Sequence, residues 1–185
     1  VEGDSLTITE IDGNPIAPGG FVNLAIGRVD LALDGTTVTY APALNYFGPA
    51  SFTYTIDDGN LEQDTATVNL TINSVNDLPE VDLNGVESGT GFTTQFVENG
   101  VPLAVVDPLI TIGDVDHPQL QSATVLLTNG QIGDQLAVGT LPTDINAIVS
   151  PTGALAAPGM ITITLSGGAS HEDYEAALQA VTYVS

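Results

Sequence analysis

Short runs of Val, Ile, Thr, Phe and Tyr alternate with polar residues along almost the whole chain, and Gly, Pro, Asn and Asp interrupt them about every eight to twelve positions. A period of two puts successive side chains on opposite faces of a strand, so each run reads as a half-buried β-strand and each interruption as a turn. In the first half the strands are expected at 6–11, 21–26, 29–33, 36–40, 51–56 and 64–73. Between them stand Asp12-Gly13-Asn14 with Pro15, Pro18-Gly19-Gly20, Asp34-Gly35 and Asp57-Asp58-Gly59-Asn60, which supply the positive-φ or side-chain-capped conformers that tight turns need. The last two strands carry the cleanest alternation. Phe52, Tyr54 and Ile56 share one face, as do Ala66, Val68, Leu70 and Ile72, which predicts an antiparallel hairpin over the core.

From about Glu80 the pattern repeats with longer loops, and strands are expected at 92–97, 103–106, 109–112, 123–128, 135–138, 161–165 and 180–184. One segment departs from it. Ser170 is a good N-cap, His171-Glu172-Asp173 puts acids in a first turn, and Tyr174, Ala177 and Leu178 follow at helical spacing. The chain is therefore expected to be all-β, built of sandwich strands, with one short helix near its C-terminus packed across an end of a sandwich.

Charge decides which partners are possible. Asp and Glu number 23 against a single basic residue, Arg28, for a net charge of −22. Such a chain cannot neutralise phosphates, so nucleic acid is excluded as a partner, and so is an anionic membrane surface. Self-repulsion on this scale is tolerated where divalent cations or salt screen and coordinate the carboxylates, which places the chain outside the cytoplasm or in a halophile. There is no cysteine, so no disulfide stiffens the fold. No run of about 18 apolar residues is present, so membrane insertion is not expected; no amino-terminal signal segment is seen, and the chain reads as a piece of something longer.

Asn45-Tyr46-Phe47-Gly48, Phe52-Thr53-Tyr54-Thr55-Ile56-Asp57-Asp58-Gly59, the alternating strand after it and Asn76-Asp77-Leu78-Pro79 resemble the cadherin-like, bacterial Ig-like repeats of giant calcium-dependent (RTX-type) adhesins exported by type I secretion. The second half is similar to a related cadherin-like repeat, through Asp114-Val115-Asp116, Leu165-Ser166-Gly167 and the ending Tyr174, Ala177, Leu178, Val181, Thr182, Tyr183. The resemblance implies two tandem Greek-key β-sandwich domains of cadherin or Ig type, at 1–75 and 80–185. It also implies an offset. Gly3-Asp4-Ser5-Leu6-Thr7-Ile8 resembles the segment after the metal-binding aspartates of such repeats, and Val181-Thr182-Tyr183 resembles Phe52-Thr53-Tyr54, so the first repeat is expected to lack its first strands and the second its last.

Carried over by position, the resemblance makes Asn76 and Asp77 linker ligands, Glu98 the early glutamate and Asp114 and Asp116 the Asp-x-Asp pair of a Ca²⁺ site at the junction. Oxygen-only donors favour Ca²⁺ over zinc, which prefers Cys or His. Ser74 stands where an aspartate is expected and Leu78 where a further asparagine is, which implies one or two ions rather than three. A weaker second cluster comprises Asp4, Asp57 and Asp58, with Glu2, Glu62 and Asp64 nearby; Asp57-Asp58-Gly59 is also an ordinary turn. In both places the plain alternative is a set of solvated acidic loops.

His117 and His171 have no partner at metal spacing and are expected on the surface or at a cap. Asp107-Pro108 is a labile linkage whose simpler role is to end one strand before the next. Gly-x-Ser-x-Gly is absent, no cysteine can act as a nucleophile, and Gly167-Gly168 lacks the Lys and Ser/Thr of a phosphate loop. With 23 acids, a pair at glycosidase spacing arises by chance, so catalysis is not expected. The resulting reading is a calcium-rigidified extender segment of a secreted or surface-anchored bacterial adhesin, extracellular, serving cell adhesion or biofilm attachment, with neighbouring repeats as its partners. The alternative is a Ca²⁺-dependent, lectin-like module that binds cell-surface or matrix polysaccharide through a calcium-bound or aromatic surface.

Overall fold

The computed structural model describes residues 6–60 and 62–185. The fold is all-β with one short helix near the C-terminus, and the chain divides into two compact units, Val1–Asn76 and Asp77–Ser185.

In the first unit β1 (Thr7–Ile11), β2 (Asn14–Pro15), β6 (Gly48–Asp57) and β7 (Gln63–Ile72) form one antiparallel sheet in the order β2-β1-β6-β7. The other sheet is β3 (Phe21–Leu24), β4 (Gly27–Leu31) and β5 (Val38–Pro42), in sequence order. After β5 the chain returns to the first sheet and lays β6 beside β1, a Greek-key return. β6 and β7 pair without a break from Gly48↔Ile72 to Asp57↔Gln63, the hairpin expected from their alternation. Inward residues of the two sheets meet in one core: Ile8 and Ile11 from β1, Val29 and Leu31 from β4, and Phe52 from β6. Burying each such side chain stabilises the unit by about 1.5–3 kcal/mol. The rings of Tyr40 and Phe52 stack at 6.1 Å, and the Tyr40 hydroxyl donates to the Ile26 carbonyl at 2.6 Å.

The second unit opens with β8 (Glu80–Asp82), β9 (Leu103–Ala104) and β10 (Thr111–Gly113). It continues through β11 (Gln119–Gly130), β12 (Gln135–Val138), β13 (Asn146–Ser150), β14 (Gly159–Ser170), α1 (His171–Gln179) and β15 (Val181–Val184). Its sheets are β11-β14-β13 and β12-β15-β9, with β10 paired to β8. Ile161, Ile163 and Leu165 of β14 are fully buried and lie opposite Leu127, Val125 and Ala123 of β11, so one face of this pair forms the floor of the core.

The helix forms where the capping chemistry directs it. The Asp173 N–H donates to Ser170 Oγ at 3.1 Å, and the Ser170 N–H donates back to the Asp173 carboxylate at 3.3 Å, a reciprocal capping box. Tyr174, Ala177 and Leu178 then face the core, and the Tyr174 hydroxyl donates to the Gly167 carbonyl at 2.7 Å.

Two features depart from the sequence expectation. Residues 92–97 alternate like a strand but pair with no strand among the described residues, because alternation supplies two faces and not a partner edge; Phe96 is held instead edge-on against the Tyr183 ring at 4.7 Å. Conversely, β8 and β13 are strands that the pattern did not mark. β13 is recruited by pairing along β14, from Asn146↔Ser166 to Ser150↔Thr162.

Candidate metal centre

The segment 114–117 leaves β10 and turns into β11. Its shape is set by Asp114, whose Oδ1 accepts the N–H groups of Asp116 and His117, both at 2.9 Å, so the carboxylate closes a turn over its own following residues. This side chain is only 6% exposed. Burial pulls its carboxyl upward, but the N–H groups of His117 and Asp116 together with the neighbouring imidazole outweigh that and hold it below the ordinary carboxylate value.

Pairing of β8 with β10 delivers a second element to this turn. The antiparallel register sets Thr111 against Asp82 and Gly113 against Glu80, and the same register extended beyond the strand brings residue 116 opposite residue 77. There the Asp77 N–H donates to Asp116 Oδ2. The start of the second unit is thus tied to the Asp-x-Asp turn through a ligand-type carboxylate.

Asp114, Asp116 and His117 each place one possible ligand atom within 4.8 Å of the others, and His117 Nδ1 stands 3.6 Å from Asp114 Oδ1. His117 was expected to have no partner; it is drawn in because it sits three residues after Asp114 in the same turn. That Asp-x-Asp-His spacing is the signal in the sequence that points to it. Glu98 lies exposed in the loop after 92–97, and its carboxylate is not part of this group. Asn76 is the last residue of the first unit and is exposed.

The second predicted cluster is organised as a turn. Asp57 accepts the Gly59 N–H at 2.6 Å and the Gln63 side-chain amide at 2.9 Å, and the Gln63 contact, followed by that of Gly59, holds its carboxyl below the ordinary value. Asp58 Oδ1 accepts the Asn60 N–H at 2.7 Å and the Glu62 N–H at 3.3 Å, while Asp64 caps the Thr65 N–H at 2.9 Å. Asp4 and Glu2 lie outside the described residues.

One acid that the sequence did not single out is buried. Asp134 accepts the Gln131 N–H at 2.7 Å and the Tyr183 hydroxyl at 2.6 Å, and these two bonds hold its carboxyl below the ordinary value despite burial. It locks the turn before β12 to β15 and is a structural group.

As a donor set, the Asp114–Asp116 turn fits a hard divalent cation in part. Two carboxylates offer up to four oxygens, against the about six to eight that Ca²⁺ takes. The imidazole adds a nitrogen, which a borderline cation accepts more readily.

Residues 1–71 match the family described as bacterial Ig domain. A stretch of 127 residues, 66% of this chain, is 30% identical to integrin beta-like protein E of Dictyostelium discoideum, and it spans only 6% of that protein's length. No solved structure matches the chain significantly. Over residues 1–71 the chain is therefore similar to bacterial Ig-like repeats, and the two facing sheets of the first unit are the architecture such a repeat requires.

Proposed function

We propose that this chain is a spacer segment of a secreted or surface-anchored bacterial adhesin of the type I secreted, calcium-dependent kind, joined to neighbouring repeats and stiffened by Ca²⁺. The observation that carries the reading is the convergence of Asp114 and Asp116 on one turn, with the Asp77 N–H bound to the second carboxylate. The bacterial Ig match over residues 1–71 and a relative described as integrin beta-like support an adhesive, extracellular role. Among the described residues no helix is long and apolar enough to cross a membrane.

The residues contribute as follows. Asp114 presents a pre-set, nearly buried carboxylate whose N–H partners already favour its ionised form. Asp116 couples the turn to the first residue of the second unit. A bound Ca²⁺ would neutralise the two carboxylates and fix this coupling, with water and further oxygens completing its shell.

Calorimetric titration with CaCl₂ tests the reading directly. The chain should show saturable binding that is lost in the Asp114→Asn/Asp116→Asn double variant. Heats of dilution alone from the unaltered chain would overturn the calcium reading.

A second reading, a polysaccharide-binding module, has one observation in its favour. Phe21 is exposed on the outer face of β3, with the Arg28 guanidinium 5.0 Å above its ring and Asp30 bound to Arg28 at 3.0 Å. Aromatic face plus charged hydrogen-bonding groups is a surface that a sugar can stack on. A glycan array probed with and without Ca²⁺ decides it, because a spacer binds none of the sugars.

A further inference from the structure

The loop that follows β8 holds a polar side chain that the fold satisfies only by half. Residues 83–90 form a closed loop, because the Leu83 N–H donates to the Thr90 carbonyl at 2.9 Å. Asn84 belongs to it and is only 8% exposed. Its Nδ2 donates to the Ser88 carbonyl at 3.2 Å, and its backbone N–H donates to Asp82 Oδ1 at 3.0 Å. A carbonyl only accepts, so the branch of the amide that meets Ser88 is the NH₂ and the other branch is the oxygen. That oxygen, Asn84 Oδ1, is buried and has no hydrogen-bond partner.

The side chains and carbonyls fixed around Asn84 are acceptors. Asp82 binds the Asn84 N–H through one carboxylate oxygen and keeps the other, the Ser88 carbonyl keeps a lone pair, and Glu87 stands in the same loop. From the neighbouring turn Asp107 Oδ1 accepts the Leu109 N–H at 2.8 Å and lies against Gly85, where an added Cβ would meet it at 3.2 Å. This unit has no Lys or Arg to answer them, since Arg28, the single basic residue of the chain, lies in the first unit. A buried acceptor left without a donor keeps its full desolvation penalty, and a positive charge removes it.

We propose that the loop after β8 binds a monovalent alkali cation, Na⁺ or K⁺, through Asn84 Oδ1, the Ser88 carbonyl and the carboxylate of Asp82. Water fits this place less well: it can donate to Asn84 and Ser88, but its own lone pairs then face carboxylates instead of donors. A divalent ion fits less well too. Ca²⁺ takes about six to eight oxygens, several of them from carboxylates, and among the described residues the acids around Asn84 do not converge as Asp114, Asp116 and His117 do. One carboxylate beside neutral amide and carbonyl oxygens suits a singly charged ion, for which such oxygens replace the hydration shell. So held, the loop is pinned to the end of β8 by a site separate from the Asp114–Asp116 turn.

The test follows amide hydrogen exchange across 83–90 in the full chain, in NaCl, KCl and choline chloride at equal ionic strength. It is repeated in the Asp114→Asn/Asp116→Asn variant, so that the outcome does not depend on the calcium site. In both chains exchange should be about threefold or more slower in an alkali salt than in choline chloride. The sodium NMR line should broaden saturably with added chain, and Asn84→Leu, close to the native side chain in shape, should abolish both effects. Equal exchange in all three salts, the result that a buried water gives, would overturn the proposal whether or not the Asn84 variant folds. So would an alkali effect undiminished in Asn84→Leu, or slowing by CaCl₂ without slowing by NaCl or KCl in the Asp114→Asn/Asp116→Asn chain.

Discussion

Asp34, Asp57 and Asp114 each collect backbone N–H groups from the residues that follow them, and each thereby fixes a turn. Asp34 shows the effect most strongly. The Thr37 hydroxyl at 2.7 Å and the N–H groups of Thr36 and Thr37 at 2.9 Å lower its carboxyl from 3.8 to about 2. A lowered folded-state pKa means that the ionised form favours the native turn. Its contribution is therefore complete above the unfolded value and is lost as pH falls from about 4 to about 2. Thr37→Val should move the Asp34 titration, followed by carbon NMR, back toward 3.8, whereas a midpoint still near 2 would contradict the assignment. At the candidate metal centre, Asp116→Ala removes both a carboxylate and the acceptor of the Asp77 N–H. It should lower Ca²⁺ affinity by about tenfold or more while the far-ultraviolet circular dichroism stays that of a folded sandwich, because residue 116 lies outside the core. An unchanged affinity would remove Asp116 from the site.

The helix and the bulge before it define the most exacting element. β14 shifts register between Ser166 and Ala169, and Gly167 takes φ 142° there, with its carbonyl accepting the Tyr174 hydroxyl. A Cβ at Gly167 would sit 1.8 Å from the Asp144 carbonyl oxygen, which backbone cannot yield without moving. Gly167→Ala should therefore destabilise the second unit by about 2–4 kcal/mol, against about 1 kcal/mol for removing the cap with Ser170→Ala. Urea denaturation orders the two, and a smaller loss for Gly167→Ala would show that the bulge is not held as described. These elements also mark what could be read in advance. The N-capped helix and the 52–56/66–72 hairpin were legible because their signals are local: a Ser followed by acids and then apolar residues at helical spacing, and two alternating runs around a turn. Residues 92–97 and β13 were not, because whether an alternating or a mixed run becomes a strand depends on whether an edge is within reach. The same limit held at the site. Asp114 and Asp116 were singled out through the family resemblance, while the approach of Asp77 depends on the β8–β10 register and that of His117 on the turn closed by Asp114.

For the molecule as a whole the governing quantity is −22 charges on 185 residues without a disulfide. Salt screening and specific ion binding both relieve that repulsion, but only binding distinguishes Ca²⁺ from other ions at equal ionic strength. A ligand held by the native state alone at a hundredfold excess over its Kd adds about 2.7 kcal/mol, which for a unit of this size is a rise in melting temperature of roughly 5 °C or more. The most direct test is the thermal melt of the chain in millimolar CaCl₂ against NaCl and MgCl₂ at matched ionic strength, repeated with the Asp114→Asn/Asp116→Asn variant. The account predicts a rise specific to Ca²⁺ that chelation reverses and the variant lacks; equal melting temperatures in all three salts, or an undiminished rise in the variant, would contradict it.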